Sequence, residues 1–535
     1  MRTHTVSVIR LAIGTLLPLA ACTCGDRGPS AADVKRLFDT LLKPLPEASI
    51  SDPLAAVPAS LPWVGASKDP EAWRRFAVAQ PLVVELMKTP AFEELRLSRS
   101  WLSIDSVRRQ VARAAEIGLV PEDADVVWKG PTAMGAEDLG GEAKLVVVKS
   151  VSPAESSLVR FAAAFAAAKE GTEEAVGKVQ VRSIERGGRG VSFAVFQNLV
   201  VLGTDRELVK RAAALAQKDP LEAGGQKDRA ATLERDEHLL PGAEEPGLHL
   251  RFRSQDDELP ALLGMGAIGI SSTLDPAAPF VVRRAGEEEL GPDAAALLSY
   301  APSSTFALWI DGAQPGATVF KAARERMAGA EDSGEEKPET DGLAVGKIDV
   351  EKTIAAHLDP GYLVLVGARE VPKDQDALGL VVAFRHHDAA ALEPAVTALM
   401  RELLPQAPQR TKLAELGDAS LIYGKEDGPT MGLTDDALLF GFSADAVRRS
   451  ISAAKGKAPS LKDRAKADGK GAGAVYVDLP ALSKYLSATY ARIGGAEASQ
   501  VLGPTFQALG GGPALFTRLE ARGGGRAEGS MRAIP

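Results

Sequence analysis

The chain repeats itself over most of its length, and that constrains its fold more than any single motif does. Val57-Pro58-Ala59-Ser60 answers Ala301-Pro302-Ser303-Ser304 at an offset of 244 (58 to 302), and Ile104-Asp105 answers Ile348-Asp349 at the same offset. Leu145-Val146-Val147-Val148 answers Leu380-Val381-Val382-Ala383 at an offset of 235 (145 to 380). Leu202-Gly203-Thr204 answers Gly441-Phe442-Ser443 at about 239, taken from the residues that would cap the next helix. Lys227-Asp228-Arg229-Ala230 recurs unchanged as Lys462-Asp463-Arg464-Ala465, again at 235 (227 to 462). Five matches in one order, with small changes of offset, describe two copies separated by modest insertions. The period is far longer than a solenoid repeat, so each copy is a domain-sized unit.

Local patterns inside the copies predict helices laid on a sheet. Lys144 to Val151 is a β-branched run suited to a buried strand. Ser152-Pro153-Ala154-Glu155 then forms a capping box, predicting a helix through Leu158, Phe161 and Phe165 to about Ala168, its apolar face on Val146 and Val148. In the second copy Leu378 to Arg385 is the strand, Asp388 the cap, and Leu392, Val396 and Leu399 the apolar face. Short strands follow: Val179–Glu185, Val191–Phe196 and Leu199–Leu202 answer Thr411–Glu415, Ser420–Tyr423 and Ala437–Phe440. Arg186-Gly187-Gly188-Arg189-Gly190 reads as a hairpin turn. A second helix closes each copy. Thr204 with Glu207 starts one, carrying Leu208, Ala212 and Leu215; Ser443 starts the other, carrying Val447, Ile451 and Ala454. The predicted class is α+β: two homologous tandem units, each an antiparallel or mixed sheet with helices packed on one face.

This pattern, with Pro302-Ser303-Ser304-Thr305 followed by the strand Phe306 to Ile310 and then Asp311, resembles a family of bacterial envelope proteins without an assigned activity. Gly203-Thr204 matches that family's strand ending before a helix. The first copy departs from it at Leu61-Pro62-Trp63. The resemblance implies an envelope location and no reaction.

The N-terminus speaks to location too. Arg2 and Arg10 precede the apolar run Leu11 to Leu17, which is too short to span a bilayer and reads as a removable signal. Leu19-Ala20-Ala21-Cys22 resembles the lipobox of bacterial lipoproteins. That resemblance implies cleavage before Cys22, a diacylglycerol on its sulfur and an acyl chain such as palmitate on its amine. With Thr23 after the cysteine it also implies sorting to the outer membrane, facing the periplasm or the cell surface. Cys22 and Cys24 are the two cysteines of the chain, so a lipidated Cys22 leaves Cys24 without an intramolecular partner. Acylation, interchain pairing and a free thiol all remain open for Cys24.

These signals predict a signal peptide over 1–21, a lipid-anchored linker over 22–56, one α+β unit over 57–254 and a connecting segment over 255–296. A second unit follows over 297–500, then a C-terminal extension over 501–535 ending in a frayed tail. Ala328 to Gly342 is acidic and poor in apolar residues, and predicts a solvated loop. Net charge is −9; losing residues 1–21 removes Arg2 and Arg10 and no acid, which leaves −11. With no basic stripe carrying interleaved aromatics, nucleic acid is a poor partner.

No motif gathers chemistry. Gly264-Met265-Gly266-Ala267-Ile268-Gly269 fits G-x-G-x-x-G, but Pro260 interrupts the approach and Pro276 and Pro279 follow too soon for a helix. His386-His387-Asp388 clusters ligand types, yet adjacent strand residues point to opposite faces and Asp388 is needed as a cap. His238, His249 and His357 stand alone, and Glu331–Asp341 lacks the spacing of a calcium loop. The expectation is a lipid-anchored envelope protein that binds or scaffolds, with Cys22 as its modified residue and no catalytic, metal or cofactor set. Its partners would be the membrane, through the lipid, and an envelope protein or lipid ligand. An envelope hydrolase and a lipid- or small-molecule-binding module are the alternatives.

Overall fold

The computed structural model describes residues 44–96, 130–137, 144–152, 171–186, 189–218, 239–240, 247–253, 267–275, 278–286, 289–314, 344–345, 348–368, 378–404, 406–493 and 495–534, and structural statements concern these. The chain forms two compact units, Met1–Ala79 with Glu93–Arg251 and Gln80–Phe92 with Phe252–Pro535.

The first unit holds β1 (Trp63–Ser67), β2 (Thr132–Ala136), β3 (Leu145–Ser150), β4 (Gly171–Val176), β5 (Val179–Arg186), β6 (Arg189–Val195), β7 (Leu199–Gly203) and most of β8 (Leu248–Arg253). They pair in the order β8–β1–β2–β3–β7–β6–β5–β4, and every ladder from β1 to β4 is antiparallel. Alternation along β3 sends Val146 and Val148 to one face, where they pack with Leu208, Val209, Ala212 and Leu215 of helix α1 (Arg206–Ala216). Full burial of each such leucine is worth on the order of 1.5–3 kcal/mol. The strand-to-helix corner is tight. A Cβ on Gly203 would lie 2.6 Å from the Leu145 carbonyl oxygen and 2.7 Å from Val209, so no larger residue fits there.

The second unit begins with β9 (Ala267–Ser272), β10 (Phe280–Ala285) and β11 (Thr305–Asp311). A separate two-stranded ladder, β12 (Ala344–Val345) and β13 (Ile348–Asp349), comes next. Then follow β14 (Leu358–Ala368), β15 (Leu378–His386), β16 (Gln409–Leu413), β17 (Ala419–Tyr423), β18 (Thr430–Leu433), β19 (Ala437–Gly441), β20 (Gly473–Asp478), β21 (Ala514–Gly523) and β22 (Arg526–Ile534). Their order is β9–β10–β22–β21–β20–β11–β14–β15–β19–β18–β17–β16, antiparallel throughout. Antiparallel sheet and packed helices make the architecture α+β, as expected.

Several details differ from the sequence reading. Helices cover both faces of the second unit's sheet, not one. Leu392, Val396 and Met400 of α2 (Ala389–Leu403) pack on Ile422, Met431 and Leu438, while Val447 and Ile451 of α3 (Ala444–Ala454) pack on the alternate residues Leu421 and Leu439. A strand buried on both sides carries apolar residues at every position, and such a run does not say how many helices cover it. The meander has four strands in each unit; β4 and β18 were missed because Glu173-Glu174 and Gly432 interrupt their alternation. β5 is therefore the counterpart in pairing order of β17, not of Thr411–Glu415.

Residues 255–296 are not a plain connection, since they hold β9, β10 and a 3-10 turn over Ala294–Tyr300. The tail is not frayed either: β21 and β22 form a hairpin that buries Leu515, Leu519, Ala527 and Met531 on one side. Few apolar residues suffice there, because a hairpin with one buried face needs them only at every second position. Asp205, not Thr204, caps α1 by accepting from the Leu208 amide, and Thr204 accepts from the Leu145 amide instead. Ser443 and Asp388 cap α3 and α2 as expected. The predicted helix through Leu158, Phe161 and Phe165 and the segment Lys227–Ala230 lie outside the described residues.

Candidate functional site

The second unit's sheet carries a buried polar group on the face turned away from α3. Alternation along β11 sends Leu308 and Ile310 toward α3 and leaves Trp309 and Asp311 on the other face. Tyr362 and Val364 of β14 share that face, as do Val282 and Arg284 of β10. Arg284 Nε donates to Asp311 Oδ2 at 2.9 Å, and the two side chains are only 2% and 1% exposed. Arg284 also donates to the Gly525 carbonyl, and Asp311 Oδ1 accepts from the Ala313 amide at 2.9 Å.

This pair fixes the shape of the sheet. Three strands, β22, β21 and β20, lie between β10 and β11, so a flat sheet would hold them about 19 Å apart at ~4.8 Å per step. Two side chains cannot span that distance together. The sheet must curl so that β10 comes over β11, with the Arg284–Asp311 face on the inside.

Inside the curl the surroundings are apolar. Val282, Trp309, Val364, Leu515, Leu519 and Met531 form the cluster, and less buried side chains such as Ile268, Phe280, Leu380 and Val382 extend it outward. Ile270, beside Val282 in the ladder, is 43% exposed. Phe442, in edge contact with Phe440 beyond the end of β19, is 51% exposed. The Tyr362 hydroxyl and Trp309 Nε1 are buried without a hydrogen bond of normal geometry. Burial, and then the negative charge of Asp311, push the Tyr362 phenol well above its ordinary range, with Arg284 acting against them. Tyr362 therefore stays neutral. The group presents a compensated ion pair, a phenol and an indole, with no nucleophile set against a base.

Of the residues singled out in the sequence, Asp311 belongs to this group, while Arg284, Trp309 and Tyr362 were missed. The one signal for Arg284 is a charge pair, Arg283-Arg284, inside the apolar strand Phe280-Val281-Val282. Its partner on another strand could not be read. Cys22, Gly264 to Gly266 and Glu331–Asp341 lie outside the described residues. Ala267–Ser272, which contains the rest of the glycine motif, is a strand paired with β10 rather than the start of a helix.

His386 and His387 do diverge: His386 Nε2 lies 3.1 Å from the Thr434 carbonyl oxygen, and His387 Nδ1 lies 2.8 Å from Asp359. His357 does not stand alone, because β14 pairs with β15 and brings its ring to 6.1 Å from that of His387. His249 is buried on β8, and His238 is outside the described residues.

The fold and this group define a class: an antiparallel α+β protein with a curled sheet enclosing an apolar face around one ion pair. No family model, curated protein or solved structure matches the chain.

Proposed function

We propose that this chain is a lipid-anchored protein of the bacterial cell envelope, held by Cys22, that acts by binding an apolar or amphipathic ligand rather than by catalysis. The anchor rests on the N-terminal signal and the Leu19-Ala20-Ala21-Cys22 ending. The observation that carries the binding role is the inner face of the curl, where a buried apolar cluster grades into exposed Ile270. A contiguous apolar patch that reaches the surface marks contact with something other than water, and partly buried Ile268, Phe280, Leu380 and Val382 make this face continuous. The first unit exposes Trp63 and Leu250 as well.

The same reading includes a tandem duplication. In its support, the order β8–β1–β2–β3–β7–β6–β5–β4 retraces β20–β11–β14–β15–β19–β18–β17–β16 strand for strand along the chain. Register agrees as well. Val146 faces Gly203 and Val381 faces Gly441, and the shift from Val146 to Val381 is the 235 found in the sequence. Gly441 fills the role of Gly203, since a Cβ there would meet Val447 at 2.8 Å.

The test is titration of the full mature protein with a fluorescent fatty acid, following tryptophan quenching. Saturable binding that weakens at least tenfold in an Ile270→Asp, Val382→Asp variant is expected. A variant that stays folded and binds as wild type overturns the role of this face. If the wild type does not bind and instead retains an envelope protein in crosslinking, scaffolding replaces ligand binding.

A further inference from the structure

Three segments meet at one corner of the second unit: Leu358–Pro360 at the start of β14, Arg385–Asp388 at the end of β15, and Thr434–Ala437 between β18 and β19. Main-chain bonds join them, with the His386 amide donating to the Asp436 carbonyl at 3.2 Å. The His386 side chain is buried between them. Its Nε2 faces the Thr434 carbonyl oxygen at 3.1 Å and so carries the ring hydrogen. Its Nδ1 is buried with no partner.

The carboxylates around it are already engaged. Asp359 faces His387 Nδ1 at 2.8 Å. Asp388 lies 3.8 Å from His357 Nδ1 and caps α2 through the Ala391 amide. Asp436 accepts from the Tyr300 hydroxyl, which also contacts Thr434 Oγ1 at 2.8 Å. Asp435 pairs with Lys455 at 3.3 Å, and Arg385 precedes His386 on its strand.

We propose that this corner is a pH-responsive latch, closed when His386 is neutral and opened by acid because its Nδ1 gains a proton only after leaving the buried site. The step takes up one proton from solvent and breaks the Nε2–H bond to Thr434. Closure holds Asp388 at the start of α2, so opening loosens the helix that covers β17 to β19.

Burial keeps the His386 imidazole below the ordinary value of about 6.5, against the pull of Thr434, Asp436 and Asp359. The sign follows from linkage. A histidine lowered in the folded state binds fewer protons there than when released, so its contribution to closure is complete above the ordinary value. Closure weakens as pH falls from there toward the lowered value, and opening rises by up to about tenfold per pH unit across that window. His357 and His387 are more exposed than His386 and face Asp388 and Asp359.

The latch goes beyond the binding reading and does not depend on it. The experiment is amide hydrogen exchange of the full mature protein between pH 7.5 and 5, corrected for the intrinsic rate, over peptides spanning 384–392 and 433–438. Wild type is expected to open increasingly below about pH 6.5. His386→Gln should lose that dependence, and a His357→Asn, His387→Asn variant should keep it. An acid response that survives His386→Gln, or that vanishes in the double variant, overturns the proposal. If His386→Gln does not fold, NMR titration of His386 in the wild type decides: a depressed midpoint supports the latch, and a normal or raised one overturns it.

Discussion

Arg284 and Asp311 illustrate how much one buried pair depends on its geometry. Each charge is removed from water, and mutual attraction together with bonds to Gly525 and Ala313 offsets the desolvation. Removing one partner strands the other. Asp311→Ala should therefore cost about 3–5 kcal/mol in urea unfolding, whereas Arg284→Met with Asp311→Leu should lie near the wild type or above it. A single variant as stable as the wild type would mean that the pair does not hold the curl. Tyr362 gives the opposite expectation. Its hydroxyl is buried without a hydrogen bond of normal geometry, so Tyr362→Phe removes a poorly compensated polar group. Thermal unfolding should show a midpoint equal to or above that of the wild type, and a fall of several degrees would expose a hydroxyl bond of real strength.

At the scale of elements, caps and tight corners set where the helices begin. Asp388 accepts from the Ala391 amide at 2.9 Å, and Asp388→Ala should cost about 1 kcal/mol, with Asp388→Asn costing less. Chemical denaturation of both variants checks this order. The α3 helix is held from below: Val447 and Ile451 are fully buried on the face opposite α2. Ile451→Ala should lower stability by about 2–5 kcal/mol, depending on how far the site collapses. These elements were legible because their signals are local. Ser443 and Asp388 stand a few residues before periodic apolar faces, and Leu145 to Val148 reads as a strand without context. Phe442 shows the reverse: nothing around it in sequence says that it ends 51% exposed.

For the whole molecule, the proposed lipid anchor makes Cys22 the residue on which location would turn. Cys22→Ala should move the protein from the membrane fraction to the soluble one after fractionation. Wild-type protein extracted from membranes with an unmodified Cys22, seen by mass spectrometry, would refute the anchor. The proposed duplication has its own consequence at this scale. Pairing order and register run in parallel through both units, yet Asp311 and Trp309 stand where a shift of 244 places Ser67 and Gly65. The buried ion pair therefore has no counterpart at Ser67, and its arginine comes from β10, a strand outside the two matching strand orders.

The sequence by itself determined the α+β class, the repeat offsets of 244 and 235, the strands Lys144 to Val151 and Leu378 to Arg385 to within a residue at each end, and the caps at Ser443 and Asp388. Each of these rests on interactions among residues a few positions apart, or on comparison of the chain with itself. Tertiary structure alone decided that helices cover both faces of the second sheet and that residues 514–534 form a hairpin. It also placed His357 beside His387 and Arg284 on Asp311. Those contacts depend on which strands become neighbours and on how far the sheet curls. Both are set by summed packing over many residues, a long-range quantity that no local pattern records.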